Sequence, residues 1–174
     1  TILEALAIAF TGSSLNREVI ERAYNLTSDL GYVAKILAEK GLEGVKQIRI
    51  EVGRPIRPML AERMGSPVLI LKKLGGRCGA EYKFDGERIQ AHRKGEEFWL
   101  FSRRLENITH QYPDLIEFLK EAIPHDFIVE LEAVVIDPSS GEIKPFQELM
   151  HRKVKYVTRY HLEKYPVAGF LFDI

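Results

Sequence analysis

The sequence predicts an α+β protein: a helical N-terminal segment followed by antiparallel sheets with flanking helices. Three observations carry that expectation. Apolar residues recur at helical spacing as far as residue 47, a proline-rich stretch then breaks the pattern, and beyond it short alternating runs bounded by glycine or proline interleave with helical ones. The 174 residues suffice for one domain or one and a part, and an apolar fraction of 45% supports a core.

Composition narrows the function classes. Lys and Arg number 25 against 25 Asp and Glu, so no overall basic field announces a nucleic-acid partner, although a local basic surface is compatible with that balance. The single cysteine, Cys78, excludes an intramolecular disulfide and argues against a structural zinc site. The longest apolar runs, such as Pro67 to Leu71, are too short to cross a bilayer, and no signal-peptide pattern opens the chain. The expectation is an intracellular protein with no membrane association, cytoplasmic in a prokaryote or nuclear in a eukaryote. Both ends read as cut: an apolar helical pattern opens at Thr1 without a preceding loop, and the chain stops at Ile174 inside what reads as a buried strand.

In chain order, Ile20, Ala23, Tyr24 and Leu26 lie at helical spacing, with Ser14 or Asn16 as a cap. Thr27 or Ser28 is expected to cap a second helix carrying Leu30, Val33, Ile36 and Leu37, which Gly41 and Gly44 end. Residues 49–58 read as an extended linker, because each proline biases its predecessor away from helix. Pro67 to Leu74 is expected as a helix stopped by Gly75 and Gly76. Strands are expected at Gly79 to Phe84 and Ile89 to Arg93, with a hairpin turn at Lys94-Gly95-Glu96 into Glu97 to Phe101. Tyr112 to Ile123 reads as a helix facing Leu115, Phe118, Leu119 and Ala122 to a core. Phe127 to Asp137 reads as a long strand, Pro145 to about Lys153 as a short helix, and Val167 to Ile174 as a final strand.

The chemistry concentrates in Glu81-Tyr82-Lys83-Phe84-Asp85-Gly86-Glu87-Arg88. In an extended backbone Glu81, Lys83 and Asp85 leave one face while Tyr82 and Phe84 leave the other. A lysine so placed is either part of an exposed charged strand edge or a nucleophile beside an anionic ligand. Further on, Arg103 in Ser102-Arg103-Arg104-Leu105-Glu106-Asn107 follows a strand, and its guanidinium fork suits phosphate oxygens. Glu130 and Glu132 share a face of an apolar strand, where a carboxylate needs a partner or a metal. Phe172 ends the chain's last apolar run. The histidines His92, His110, His125, His151 and His161 show no metal spacing and read as surface or helix-end residues.

In this order the residues resemble the covalent nucleotidyltransferases, and most closely the ATP-dependent DNA ligases of archaeal and eukaryotic type. Lys-x-Asp-Gly-x-Arg at Lys83 to Arg88 is similar to their active-site motif, and Arg54-Pro55-Ile56-Arg57-Pro58-Met59-Leu60-Ala61 to the Arg-Pro-x-x-Pro-Met-Leu-Ala linker pattern that precedes it. Leu131 departs from the family, which commonly has glycine before the glutamate matched by Glu132. The resemblance implies a fold: residues 1–48 the end of a helical DNA-binding domain, 49–58 a linker, and 59–174 an incomplete nucleotidyltransferase (ATP-grasp-like) domain. It implies Lys83 as the catalytic nucleophile and Glu81, Lys83, Arg88, Arg103, Glu132 and Phe172 as nucleotide-binding residues, with Glu132 also toward a metal. Phe172 would stack on adenine and Glu81 would sit at its edge. Nearby Arg88 and Arg103, a metal and partial burial would favour a neutral attacking amine.

ATP and Mg²⁺ are the implied cofactors, and nicked double-stranded DNA is the implied partner of a monomer, with a sliding clamp as a further candidate. Replication, repair, recombination and cell division are the implied settings, and the fragment alone is expected to seal no nicks. An RNA ligase, an mRNA-capping guanylyltransferase and a non-catalytic nucleic-acid-binding module stay open as alternatives at this point.

Overall fold

Side-chain hydrogen bonds start two of the three helices of the N-terminal segment, while the one that follows Asn16 opens without the cap expected from Ser14 or Asn16. In the computed structural model, which describes residues 1–174, α1 spans Ile2–Thr11 and opens with a capping box between Thr1 and Glu4. Helix α2 spans Arg17–Thr27 and α3 spans Leu30–Lys46. The cap of α3 is Asp29, whose carboxylate accepts from the Tyr32 N–H at 2.9 Å, in place of the expected Thr27 or Ser28. Thr27 is instead buried and donates to the Ala23 carbonyl, while Ser28 ends α2 at φ 53. Gly41 and Gly44 do not end α3. Gly41 takes φ 63 and kinks it, but Val45 beyond the kink is fully buried, so packing carries the helix through. Ala7, Ile20, Ala23, Val33, Leu37, Val45 and Ile48 form one apolar core for these three helices.

The second core lies against one four-stranded antiparallel sheet. Its strands are β1 Glu87–Lys94, β2 Glu97–Ser102, β3 Phe127–Val135 and β4 Val167–Asp173, in the order β2-β1-β3-β4. Helix α4 (Pro67–Lys73) precedes the sheet, α5 (Pro113–Ala122) covers it, and α6 (Phe146–Leu149) and α7 (Arg159–Lys164) lie between β3 and β4. The sequence pattern did not show α7. Ile89, Ala91, Val129, Leu131, Ala133 and Val135 face the core with Leu115 and Leu119 of α5. Phe118 and Ala122 are exposed instead, because the short α5 presents only a narrow stripe. The end of β4 is likewise exposed at Leu171, Phe172 and Ile174, against the expectation of a buried strand.

Beneath the sheet, the fully buried Arg152 forms a two-pronged ion pair with Asp114 and donates to the Gln111 and Tyr165 carbonyls. Removing one partner of such a buried pair costs about 3–5 kcal/mol. The arrangement clamps α5 to the chain ahead of β4.

Residues 49–58 run irregularly, yet they are not a free tether. Arg54 and Arg57 lie over the rings of Tyr32 and Tyr24 of the helical segment, at 4.1 and 5.0 Å. On the other side, the Gly53 N–H donates to His92 Nδ1 at 2.9 Å and the Ile56 N–H to Gln90 Oε1 at 2.7 Å. His92 is thus fully buried in β1, which corrects its reading as a surface residue, and burial lowers its pKa to about 4. The unfolded imidazole, at about 6.5, takes up a proton first, so the stability owed to neutral His92 is complete above about pH 6.5 and is lost as pH falls through about 4. The thermal unfolding midpoint is expected to drop across that window. His92→Gln should flatten the drop; an unchanged pH profile in that variant would refute the assignment.

Candidate active site

Gly86 brings the Lys83 loop onto the sheet. A Cβ at this position would lie 2.2 Å from the Ala133 carbonyl oxygen and 2.8 Å from Val134 Cγ1, so only glycine permits this approach. At that contact the Gly86 N–H donates to Glu132 Oε1 at 3.2 Å. Three further contacts hold the loop. Phe84 stacks on Phe170 of β4 at 4.0 Å with 16° between the rings, and Glu87, the next residue after Gly86, accepts from the Tyr112 hydroxyl at 2.5 Å and pairs with Lys153 at 2.7 Å. Burial and the Glu87 carboxylate hold Tyr112 far above the usual phenol range, so its hydroxyl remains a donor.

The expected strand at residues 79–84 is not formed: β1 begins at Glu87, and residues 75–86 are irregular. Glu81, Lys83 and Asp85 are therefore exposed loop residues with no shared strand face, and the partial burial expected of Lys83 is absent. The Lys83 ammonium donates to the Phe84 carbonyl at 3.1 Å and lies close enough to Glu132 to act on its charge.

On the sheet, Arg88 pairs with Glu130 and sits over the Phe172 ring at 5.3 Å. Glu132 is half-buried, and burial raises its pKa, opposed by Lys83, the Gly86 N–H and Arg88. Arg103 is exposed just past β2. Its turn is shaped by Ser102 Oγ, which accepts from the Arg104 and Glu106 N–H groups at 3.2 and 3.3 Å, and by Leu105 at φ 66. Glu81, Lys83, Arg88, Arg103, Glu132 and Phe172 all line one open cleft of about 1960 Å³. That exceeds the roughly 300–1,000 Å³ of an enclosed small-molecule pocket, so the cleft is an open trough.

Three participants escaped the sequence reading. Glu130 was visible as a same-face carboxylate, but its pairing with Arg88 was not; Phe170 and Glu87 gave no signal beyond their apolar or charged surroundings.

A family model described as "ATP dependent DNA ligase domain" matches residues 58–174. The chain belongs to the ATP-dependent DNA ligase domain family. A probable DNA ligase of Aquifex aeolicus is 89% identical over the whole chain, and one of Persephonella marina is 75% identical, each with 30% of its own length covered. DNA ligase 2 of Thermofilum pendens is 58% identical, with 29% of its length covered. The chain thus spans about 30% of the length of these ligases. Among solved structures, the ligase domain of M. tuberculosis LigD aligns with 53% of the chain and 27% of its own at 26% identity, with a TM-score of 0.41. No helix is long and apolar enough to cross a membrane.

Proposed function

We propose that the chain carries the nucleotide-transfer centre of an ATP-dependent ligase that seals nicks in duplex DNA through a lysine-AMP intermediate, in replication, repair and recombination. The observation that supports this is the gathering of Lys83, Arg88, Arg103, Glu132 and Phe172 around one cleft. On this reading residues 1–48 end a DNA-binding domain, 49–58 join it to the catalytic domain, and 59–174 belong to that domain.

The Lys83 amine, neutral when it reacts, attacks the α-phosphorus of ATP. An N–P bond forms as the P–O bond to pyrophosphate breaks, and the amine's surplus proton leaves to solvent. The Phe84 carbonyl, which accepts from Lys83 Nζ, aims the amine. Arg103 is free to meet phosphate oxygens, Phe172 offers a ring face to adenine, and Arg88, steadied by Glu130, addresses the ribose side. AMP then passes to the 5′-phosphate at the nick, and the 3′-hydroxyl displaces it as the new phosphodiester bond forms.

Glu132 fits Mg²⁺: it is an oxygen donor with Oε1 given to Gly86, and this ion is commonly held by one or two carboxylates plus substrate phosphates. Bound there, the ion would supply charge stabilisation for the phosphoryl oxygens.

The test divides labour between two residues in the full-length protein. Phe172→Ala is expected to raise the KM for ATP about tenfold, consistent with a lost stacking partner, and to leave sealing by pre-adenylated enzyme nearly unchanged. Glu132→Ala should slow that single-turnover sealing about a hundredfold. Equal losses in both variants would refute the division.

A further inference from the structure

Three successive same-face residues of β1 connect the linker to the cleft. Arg88 faces the cleft, Gln90 stands one step along, and His92 meets the linker. Gln90, buried to 6% exposure, uses its whole amide. Its Oε1 accepts from the Ile56 N–H at 2.7 Å and from His92 Nε2 at 2.9 Å, and its Nε2 donates to the Ile56 carbonyl at 3.2 Å and to Glu130 Oε1 at 2.8 Å. The amide orientation is fixed, since the Ile56 N–H can only donate and the Ile56 carbonyl can only accept. Glu130 gives its other oxygen, Oε2, to Arg88.

The geometry points to Gln90 as a positioning residue that couples linker docking to nucleotide binding: it holds the Ile56 main chain on one side and, through Glu130, sets the Arg88 guanidinium on the other. This rests on the reading of the cleft as the ATP site. Glu130 lies between Gln90 and Arg88, and its carboxylate is only 12% exposed. Without the Gln90 donor it loses a hydrogen bond in a half-dry setting and is free to reorient, carrying Arg88 with it. With the linker undocked, Gln90 in turn loses the two main-chain groups that fix its amide. The linker also grips Tyr24 and Tyr32, so the placement of the helical segment reaches the cleft along the same path.

Two variants of the full-length protein test this from opposite ends. Gln90→Met keeps the side-chain length and removes the amide; Ile56→Pro removes the linker N–H, together with the Ile56 side chain and the freedom of its φ, at a position outside the cleft lining. The readouts are the ATP dependence of Lys83 adenylation by intact-mass spectrometry, equilibrium dialysis with ATP, and hydrogen exchange of the Gly53 amide. Both variants are expected to raise the half-saturating ATP concentration about tenfold, with the plateau rate within about threefold, and to speed Gly53 exchange. Faster exchange with unchanged ATP dependence would reduce Gln90 to a structural latch and overturn the coupling. A changed ATP dependence in Gln90→Met alone would overturn it too, because the linker would then play no part. If Gln90→Met fails to fold, Ile56→Pro decides. Should the wild type not adenylate at all, the proposed function fails, and the dialysis comparison still reads the coupling.

Discussion

Full-length protein carrying Lys83→Ala is expected to show no AMP adduct at any ATP concentration, while binding DNA as the wild type does. The reason is chemical, since the amine supplies the only nitrogen at this position that can form the bond. Structure adds a second reason to expect a clean loss. Lys83 is exposed, and its one hydrogen bond goes to its neighbour's carbonyl, so its removal leaves no buried group unsatisfied and the fold intact. Lys83→Arg should fail equally, because guanidinium stays protonated and cannot attack. Intact-mass spectrometry after incubation with ATP and Mg²⁺ measures this directly. An adduct of AMP mass in either variant would remove Lys83 from its role.

Gly86→Ala should be nearly as damaging by an unrelated route. The added methyl would meet the Ala133 carbonyl at 2.2 Å, and that oxygen belongs to a strand paired on both sides, with β1 and β4, so the loop must move instead. Moving it breaks the Gly86 donation to Glu132 and shifts Lys83, three residues away, relative to the sheet. Misplacement by about 1 Å costs on the order of a hundredfold in rate, and overpacking of this kind costs about 1–3 kcal/mol of stability. The expected result is adenylation at least about a hundredfold slower, with a lowered unfolding midpoint. Wild-type adenylation by Gly86→Ala would mean that the close approach of loop and strand has no catalytic consequence.

The parts of this site that are local in sequence were legible, and the parts closed over long separations were not. Lys83, Arg88 and Arg103 were named from a resemblance carried by motifs only a few residues long, and the structure brings all three to one cleft. The alternation of Glu81 to Asp85 nevertheless suggested a strand that does not exist. Alternation reports two distinct faces but not a partner, and both edges of β1 are taken by β2 and β3. The reading of His92 as a surface residue failed for a related reason: it rested on the absence of metal spacing among the histidines, and nothing local announced that Gly53, 39 positions earlier, would cover it. Asp29 could have been found as the cap of α3, since aspartate one residue before an apolar helical run is a strong signal, and Thr27 competed with it only by being nearby.

The alternation along β1 has an engineering consequence. Arg88, Gln90 and His92 occupy one face, while Ile89 and Ala91 between them fill the core. Insertion or deletion of a single residue inside this strand would turn every side chain past the lesion through the sheet, putting charge where aliphatic groups belong. A change of length there could not disable the linker contacts while sparing the cleft. Tolerated changes of length should therefore collect at the β1–β2 hairpin turn, Gly95 and Glu96, where both strands have already paired and the chain is exposed to solvent.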